Sequence, residues 1–288
     1  MKKKQRKLIT MRKTVNDLRK QLCEEMMPFT EEAAVLADII VAYSLCIDRS
    51  TLLTITHIPV DDKTEAICEN MVRELLNGAP IQYVMGECWF YGLPIKIGKG
   101  CFIPRMDTEI LAQKVMELLP IEGRFAEVCS GSGCVSKAIM ANRSDAEGLA
   151  LELYPKPLSY TEENLKEFDR IEVRKFDALD PDDYKQLPKL DIIVSNPPYI
   201  PTDDVDMLDS VVQCEPRTAL DGGEDGLTYY RAIIEYGDEL LSEGGRFLFE
   251  VGFDQADDVK ALLEKKGYDT RCYKDLGGID RVVEGIKC

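Results

Sequence analysis

The chain has 288 residues, 45% of them hydrophobic, and a formal net charge of −16. This length allows two domains or one large one, and no segment approaches the ~18 uninterrupted apolar residues of a membrane span. Proteins that bind nucleic acids draw much of their affinity from Lys and Arg contacts with phosphates. The acidic balance therefore disfavours free DNA or RNA as a direct partner and favours a small molecule or a basic protein.

The sequence indicates neither an export signal nor a metal site. The basic residues 2–7 lead into a segment too short and too charged for a signal-peptide core, so we predict a cytoplasmic protein. Ten cysteines are scattered through apolar runs without a Cys-x-x-Cys pair, and His57 is the only histidine. We expect reduced, mostly buried thiols and no metal site, because zinc needs clustered Cys and His ligands.

Residues 1–78 are predicted to form a small N-terminal helical domain. Apolar residues at helical spacing indicate one helix that ends before Pro28, a second that opens at Ala33, and a third that ends at Leu76. No residue in this region carries chemistry. A plain helical bundle and a domain that docks the substrate both fit the pattern.

Residues 79–100 are predicted to form a β-hairpin linker. The stretch from Trp89 to Ile97 is aromatic and β-like, with a turn at Gly92. Trp89 is the only tryptophan of the chain, and we assign it to packing.

From residue 101 to residue 288, strand and helix patterns alternate after a first helix from Ile110 to Leu119. This alternation predicts an α/β domain with a largely parallel, Rossmann-like sheet, helices on both faces and a ligand crevice at the carboxyl ends of the strands. The predicted strands are Phe125–Cys129, Gly148–Leu153, Ile171–Phe176, Asp191–Ser195, Arg246–Val251, Asp269–Tyr273 and Arg281–Ile286. The helices predicted between them are Val135–Ala141, Thr161–Phe168, Leu227–Ser242 and Gln255–Lys266.

Two consecutive prolines, Pro197 and Pro198, follow the predicted strand that ends at Ser195. Proline has no N–H and fixes its own φ, so the chain leaves the sheet there as a stiff loop. Asn196 is therefore displayed at a strand end, where its amide offers an acceptor oxygen and two N–H donors. This arrangement suits a planar substrate that carries its own NH2 group, with Tyr199 packed on the substrate's face.

A glycine turn, Glu127 to Gly133, follows the first strand of the domain and opens a helix. Glycines allow a ligand to approach backbone N–H groups closely, although plain strand–helix packing also explains them. Glu152, at the end of the next strand, is placed for a ribose diol, and Asp177 for an adenine amino group; a solvated carboxylate is the alternative for each. Because no Lys or Arg directed at a phosphate accompanies the turn, a nucleoside with little phosphate, such as S-adenosylmethionine, is favoured over a dinucleotide.

S-adenosylmethionine already carries an electrophilic methyl group, so an enzyme that uses it must chiefly align a poor nucleophile. The Asn196 side-chain oxygen and the Pro197 carbonyl can accept the two N–H groups of a substrate amide. Such bonds favour a tetrahedral nitrogen and stabilise the positive charge that develops on it. We therefore predict Asn196, Pro197 and Tyr199 as the catalytic residues.

Several stretches of the sequence resemble motifs of known families. The motif Asn-Pro-Pro-Tyr at residues 196–199 is typical of class I methyltransferases that act on planar nitrogen. Further stretches resemble one branch of them, the peptide chain release factor N5-glutamine methyltransferases (the HemK/PrmC family). These stretches are Pro80–Tyr83, Phe90–Leu93, Phe102–Glu109, Glu215–Leu220, Gly222–Leu227, Phe249–Gly252 and Asp275–Val283. The helical segment before them fits the family in position and size rather than by motif.

The resemblance implies methyl transfer from S-adenosylmethionine to the glutamine of a Gly-Gly-Gln motif in release factors, by a protein we expect to be a monomer. With the assignments above, the predicted donor site comprises Phe102, Glu127, Cys129, Ser130, Gly131, Ser132, Gly133, Glu152, Asp177, Ala178 and Asn196. The predicted substrate site comprises Arg105, Asn196, Pro197, Pro198 and Tyr199. For Arg105, capping of a helix is the alternative, and residues 200–226 are interpreted as a lid rather than a plain surface loop.

Some residues depart from the family pattern. Cys129 stands where a glycine is usual, Glu152 where aspartate is more usual, and Met106 where the family generally has proline.

Two alternative functions are left open by the sequence. One is methylation of an exocyclic amine of a nucleic-acid base or of a ribosomal-protein glutamine, and the other is a non-catalytic adaptor that retains the fold.

Overall fold

The computed structural model describes residues 12–209 and 211–288, so the basic segment 2–7 lies outside the described residues. By internal contacts the chain divides into two units, one up to Met85 and one from Gly86 to Cys288. Within the described ranges, no helix is long and apolar enough to cross a membrane.

The first unit is a bundle of helices around its own core. The helices are α1 (Val15–Met26), α2 (Ala33–Ser44), α3 (Arg49–Leu52), α4 (Asp62–Leu76) and α5 (Ile81–Met85). Thr14 and Asp17 form a reciprocal capping box at the start of α1, and Asp61 caps α4, so polar side chains satisfy the first free N–H groups of both helices. The unit extends to Met85 and includes α5, whereas the sequence placed the domain boundary at residue 78.

The second unit opens with the predicted hairpin, formed by β1 (Glu87–Phe90) and β2 (Leu93–Lys96). Gly92 has a φ of +72°, a left-handed conformation that glycine adopts without steric penalty. Phe90 is buried, but Trp89 points to the opposite face of the strand and is 66% exposed. The assignment of Trp89 to packing was therefore wrong.

The rest of the second unit is an α/β sheet domain, as predicted. Its strands are β3 (Arg124–Val128), β4 (Glu147–Glu152), β5 (Ile171–Lys175), β6 (Leu190–Ser195), β7 (Leu241–Glu250), β8 (Tyr268–Lys274) and β9 (Asp280–Lys287). Its helices are α6 (Glu109–Leu118), α7 (Cys134–Asn142), α8 (Pro155–Leu165), α9 (Pro181–Tyr184), α10 (Thr228–Gly237) and α11 (Ala256–Lys265).

The strand order in the sheet is β5-β4-β3-β6-β7-β9-β8. Strands β3 to β7 are parallel, and β9 runs antiparallel to both of its neighbours. The order reverses between β3 and β6, and such a switch point is where open α/β sheets bind ligands. The glycine turn after β3 and the Asn-Pro-Pro-Tyr loop after β6 therefore emerge side by side.

Three element boundaries differ most from the predicted ones: the start of α8, the start of β7 and the end of α10, which was predicted at Ser242 and lies at Gly237. Helix α8 begins at Pro155 rather than Thr161, because proline is well accommodated in the first turn of a helix, where its missing N–H has no partner to lose. Strand β7 begins at Leu241 rather than Arg246, after α10 has already ended at Gly237. Leu241 is buried and pairs with Leu190, a tertiary contact that no local pattern reveals.

All ten cysteines are free thiols. Only Cys68, Cys101 and Cys134 are buried, however, so the expectation that most would be buried was wrong. The apolar runs in which the cysteines lie bury one face of each element and leave the other face to solvent.

Candidate active site

A cavity of about 270 Å³ opens at the carboxyl ends of β3, β4 and β6. Of the residues that the sequence assigned to the donor and substrate sites, all but Gly133 line it. They are Phe102, Arg105, Glu127, Cys129, Ser130, Gly131, Ser132, Glu152, Asp177, Ala178, Asn196, Pro197, Pro198 and Tyr199. The fold thus brings together residues from segments far apart in the chain.

The two glycines of the turn, Gly131 and Gly133, have different surroundings. Gly131 and Gly133 both have left-handed φ angles, +59° and +74°. A Cβ at Gly131 would meet nothing within 4 Å, so this position faces open space. A Cβ at Gly133 would lie 3.0 Å from the Thr161 side chain. Gly133 therefore permits close packing of the turn against α8 and stays outside the cavity, whereas Gly131 leaves room beside it.

Cys129 occupies a backbone conformation that favours glycine. Its φ is +60°, and a left-handed conformation costs a residue with a Cβ roughly 1–2 kcal/mol. Burial raises the pKa of its thiol well above the usual range, so the sulfur stays protonated. Cys129 is consequently a strained lining residue rather than a thiolate nucleophile.

Two buried carboxyl groups hold the turn in place. Glu127 accepts a hydrogen bond from the Ser136 N–H at 2.8 Å and so caps the start of α7. Glu152 accepts one from Gly131 N–H at 2.8 Å and one from Tyr154 N–H at 2.9 Å. Burial raises the pKa of Glu127 to about 7 and also raises the pKa of Glu152. A carboxylate has about four lone-pair sites, so Glu152 can still accept bonds from a ligand.

The Asn-Pro-Pro-Tyr loop is anchored at both ends. Ser195 donates its hydroxyl to the Val128 carbonyl at 2.6 Å, which ties the end of β6 to β3. The Tyr199 carbonyl accepts a hydrogen bond from the Gln255 side chain at 2.8 Å. Burial raises the pKa of the Tyr199 phenol to about 12, so this ring is neutral at physiological pH. Between the anchors, the Asn196 Nδ2 group donates to Thr108 Oγ1 at 3.3 Å.

The segment that follows, residues 200–226, is packed against this loop. Ile200 and Gly222 are tied by hydrogen bonds from Ile200 N–H to the Leu220 carbonyl and from Gly222 N–H to the Ile200 carbonyl. A Cβ at Gly226 would lie 2.3 Å from the Tyr199 carbonyl oxygen, so only glycine allows this approach. The members of the segment that line the cavity are Ile200, Val212, Pro216, Thr218, Ala219 and Leu220.

Glu215 connects this segment to the residues that precede α6. Its carboxylate accepts a hydrogen bond from Ile103 N–H at 2.8 Å and forms an ion pair with Arg105. The Arg105 guanidinium also lies 5.0 Å from the centre of the Phe102 ring. Arg105 stands at the N-cap position of the 3-10 turn Met106–Thr108, where its carbonyl accepts a hydrogen bond from Thr108 N–H but its side chain makes no cap hydrogen bond. Contact between Arg105 and an incoming substrate stays a prediction.

Several residues around the cavity were given no role from the sequence. Tyr154 and Tyr229 line it, as does Thr108, and Glu215 and Glu250 are buried carboxyl groups beside it. Thr108, Glu215 and Glu250 all lie in stretches that resemble the family, and this was the available signal. Tyr154 and Tyr229 carry no signal beyond being aromatic.

Comparison with known proteins agrees with the resemblance drawn from the motifs. A family model described as the PrmC N-terminal domain matches residues 17–86, the helical segment that the motifs had left unassigned. The chain is 36% identical over 247 residues to the release factor glutamine methyltransferase of Clostridium botulinum, covering 83% of this chain and 87% of the relative. It is 32% identical over 279 residues to the protein of the same name from Geobacter sulfurreducens, covering 96% of both.

Solved structures agree on the fold. The catalytic domain of hMettl16, in complex with MAT2A 3'UTR hairpin 1, superposes with a TM-score of 0.54 at 15% identity, covering 81% of this chain and 84% of that one. A methyltransferase from Pyrococcus furiosus superposes with a TM-score of 0.51 at 14% identity, covering 76% and 98%. At such identities the likeness concerns the fold alone, which is that of class I methyltransferases.

Proposed function

The chain belongs to the release factor glutamine methyltransferase family, and we propose that it transfers a methyl group from S-adenosylmethionine to the glutamine side-chain amide of a Gly-Gly-Gln motif in peptide chain release factors. We further propose that it acts in the cytoplasm as a monomer, on a protein rather than directly on nucleic acid. The helical unit, residues 1–78 in the sequence-based division, is the part that we propose docks the release factor.

One observation carries this proposal: the glycine turn after β3 and the Asn-Pro-Pro-Tyr loop after β6 line the same cavity. The residues that we propose for a nucleoside donor and those that we propose for a planar NH2 group are therefore adjacent. Methyl transfer requires this adjacency, because catalysis here depends mainly on holding the two reactants close together in the correct orientation.

The cavity suits S-adenosylmethionine, which when bound supplies an electrophilic methyl group on its sulfonium. Open space at Gly131 and the lone pairs left on Glu152 fit a nucleoside sugar, and Asp177 and Ala178, which line the same cavity, are the residues that would hold an adenine ring. Among the described residues of the lining, Arg105 is the only basic one, and it is paired with Glu215. A ligand with several phosphates would lack a free counter-charge here.

The chain's own residues supply alignment rather than a strong base. The Asn196 Oδ1 atom and the Pro197 carbonyl accept the N–H groups of the substrate glutamine, and the neutral Tyr199 ring packs on its planar amide. The lining residues of 200–226 keep water out of the cavity, which strengthens these hydrogen bonds.

The test is to incubate the protein with methyl-labelled S-adenosylmethionine and an intact bacterial release factor. A matched release factor in which Gly-Gly-Gln is changed to Gly-Gly-Ala serves as the control. We expect label in the first and none in the second. Equal labelling of the two, or no labelling of either, contradicts the proposal. Calorimetry with S-adenosylmethionine alone separates an inactive adaptor, which would give no heat of binding, from an enzyme with a different substrate.

A further inference from the structure

Glu250 is a buried carboxyl group whose burial the fold does not explain. It lies at the end of β7, next to the strand that carries the Asn-Pro-Pro-Tyr loop, and is 2% exposed. Its Oε2 atom has no hydrogen-bond partner among the described residues. Glu250 is absent from the cavity lining, so it cannot contact a ligand directly. Leaving a buried carboxyl oxygen unpaired is costly, and such groups tend to be kept for function.

The neighbours of Glu250 connect it to Asn196. The Asn196 Nδ2 group donates to Thr108 Oγ1 at 3.3 Å, and Thr108 is itself buried. Burial raises the pKa of Glu250 to about 7, while hydrogen bonding from Thr108 and Asn196 acts in the opposite direction. Ser195 pairs with Phe249 in the sheet, so Asn196 and Glu250, the next residue of each chain segment, lie side by side.

The chemistry of these groups selects one orientation of the Asn196 amide. An ionised carboxylate only accepts hydrogen bonds, so a Thr108 hydroxyl that turns toward Glu250 does so as the donor. The Thr108 oxygen is then left as an acceptor, which matches the NH2 group of Asn196 and not its Oδ1 atom. With the NH2 group held in this way, Oδ1 is left to face the cavity as an acceptor.

We propose that Glu250 and Thr108 are positioning residues that hold the Asn196 amide with its NH2 group toward the protein interior and its Oδ1 atom toward the substrate NH2. The inference rests on the proposed function, because this orientation matters only if Asn196 grips a substrate that donates N–H bonds. A flipped Asn196 would present donors to donors and could not align the substrate nitrogen.

Protonation of Glu250 removes this constraint on the orientation of the Asn196 amide. A neutral carboxyl group can donate to Thr108, which frees the Thr108 hydroxyl to donate to Asn196 Oδ1 and allows the amide to flip. The rate of methyl transfer should therefore fall as the pH drops through about 7, the pKa to which burial raises Glu250. The charged or titratable groups around the carboxyl group are Asp107, Arg281, Tyr199 and Tyr230.

The first experiment compares variants in the release factor assay at pH 8. Glu250→Gln and Thr108→Val should each lower the rate constant for methyl transfer by about 10- to 100-fold, as expected for misplaced catalytic groups. Thr108→Ser keeps the hydroxyl and should recover most of the loss. Because Glu250 lies outside the cavity, the affinity of Glu250→Gln for S-adenosylmethionine, measured by calorimetry, should match that of the wild type. Equal rates for Thr108→Val and Thr108→Ser would overturn the proposal.

The second experiment assigns the pH dependence. Burial raises the pKa of Glu127 to about 7 as well, so two carboxyl groups compete to explain an acid limb. We expect the limb to disappear in Glu250→Gln and to persist in Glu127→Gln. A limb that persists in Glu250→Gln would overturn the proposal, since a purely structural role for Glu250 would leave the profile in place.

A third measurement does not depend on the substrate. In protein labelled with 15N-asparagine, the Asn196 side-chain NH2 resonance can be identified by its loss in Asn196→Ala. We expect it to shift with pH around a midpoint near 7 in the wild type and not to shift in Glu250→Gln. If no release factor is labelled by the wild type, the proposed function fails, and this titration alone still decides the positioning role. An unchanged titration in Glu250→Gln would overturn it.

Discussion

The two sides of the cavity are built in different ways. On the donor side, Glu127 and Glu152 hold the glycine turn by accepting hydrogen bonds from backbone N–H groups of Ser136, Gly131 and Tyr154. The carboxylates and the N–H groups come from β3, the glycine turn and α7, which are contiguous in the chain, and from the end of the neighbouring strand β4. A local framework of this kind is rigid because backbone amides cannot reorient without unfolding the turn.

On the substrate side, side chains from distant parts of the chain meet. Asn196 donates to Thr108, and Glu215 binds Ile103 N–H and Arg105, pairs separated by 88, 112 and 110 residues. Amide and hydroxyl groups can rotate, so their orientation is set by their neighbours and not by the backbone. The comparison teaches that the donor side should lose affinity when it is altered, whereas the substrate side should lose alignment. Four substitutions test this difference.

The largest effect is expected for Asn196→Ala. Removing the acceptor that we propose aligns and stabilises the substrate nitrogen should reduce the rate constant for methyl transfer by about 10²–10³-fold, as for loss of one stabilising hydrogen bond in other active sites. Asn196 was assigned to both sites, and calorimetry with S-adenosylmethionine separates the two roles. Retained donor affinity with a lost rate places Asn196 on the substrate side, and a rate within a few-fold of wild type would contradict its catalytic role.

The next effect is expected for Glu215→Ala, which removes the anchor of the segment 200–226. It leaves the buried Ile103 N–H without an acceptor, a loss of about 1–3 kcal/mol in local stability. Hydrogen exchange of residues 211–222 should therefore become faster. Asp206→Asn is the matched control, because it breaks an exposed ion pair with Arg217 in the same segment and should leave exchange nearly unchanged. Equal acceleration in both variants would show that Glu215 is not a special anchor.

A smaller effect is expected for Glu152→Gln on the donor side. Glu152 holds the turn, and we propose that it also binds the ribose, so loss of its charge should weaken binding of S-adenosylhomocysteine about 10-fold in calorimetry, in line with hydrogen bonds to charged groups. Glu147→Gln, at the opposite end of the same strand and far from the cavity lining, is the control and should bind as the wild type does. Similar affinities for both variants would remove Glu152 from the donor site.

The smallest effect is expected for Cys129→Gly. Glycine adopts a φ of +60° without strain, which offsets its greater freedom in the unfolded chain and leaves a net gain of at most about 1 kcal/mol. We expect a slightly higher unfolding temperature and equal or slightly tighter donor binding. Cys129→Ala removes the thiol but keeps the Cβ, so a gain of the same size in that variant would show that strain is not the cause.

Much of the donor side could be predicted from the sequence because its signals are local. A strand, a glycine turn and a helix follow one another within residues 124–142, and the acid at the end of the next strand is one crossover away. Of the predicted site residues, all but Gly133 line the cavity. Glycine is required at that position by contact with Thr161, and a packing contact of that kind has no sequence pattern.

The substrate side was predicted only where the chain itself is stiff. The two prolines at 197 and 198 restrict the backbone locally, so the display of Asn196 could be inferred from residue types alone. The residues that lie around that amide and orient it could not be inferred in this way. Thr108 meets Asn196 across 88 residues of sequence, and Glu250 lies beside it only because β6 and β7 pair in the sheet. The roles proposed for Glu215 and Glu250 rest on their burial, which the sequence does not state.

By itself, the sequence determined the order of strands and helices, the stiff loop after β6 and the glycine turn after β3, because each depends on residues close together in the chain. Only the tertiary structure decided how these parts are oriented toward one another. The strand order placed the two loops side by side, and packing buried Glu250 with no hydrogen-bond partner for its Oε2 atom among the described residues. The direction of one asparagine amide is therefore a property of the assembled fold, since the hydrogen-bond partners that choose it come together only when the sheet has formed.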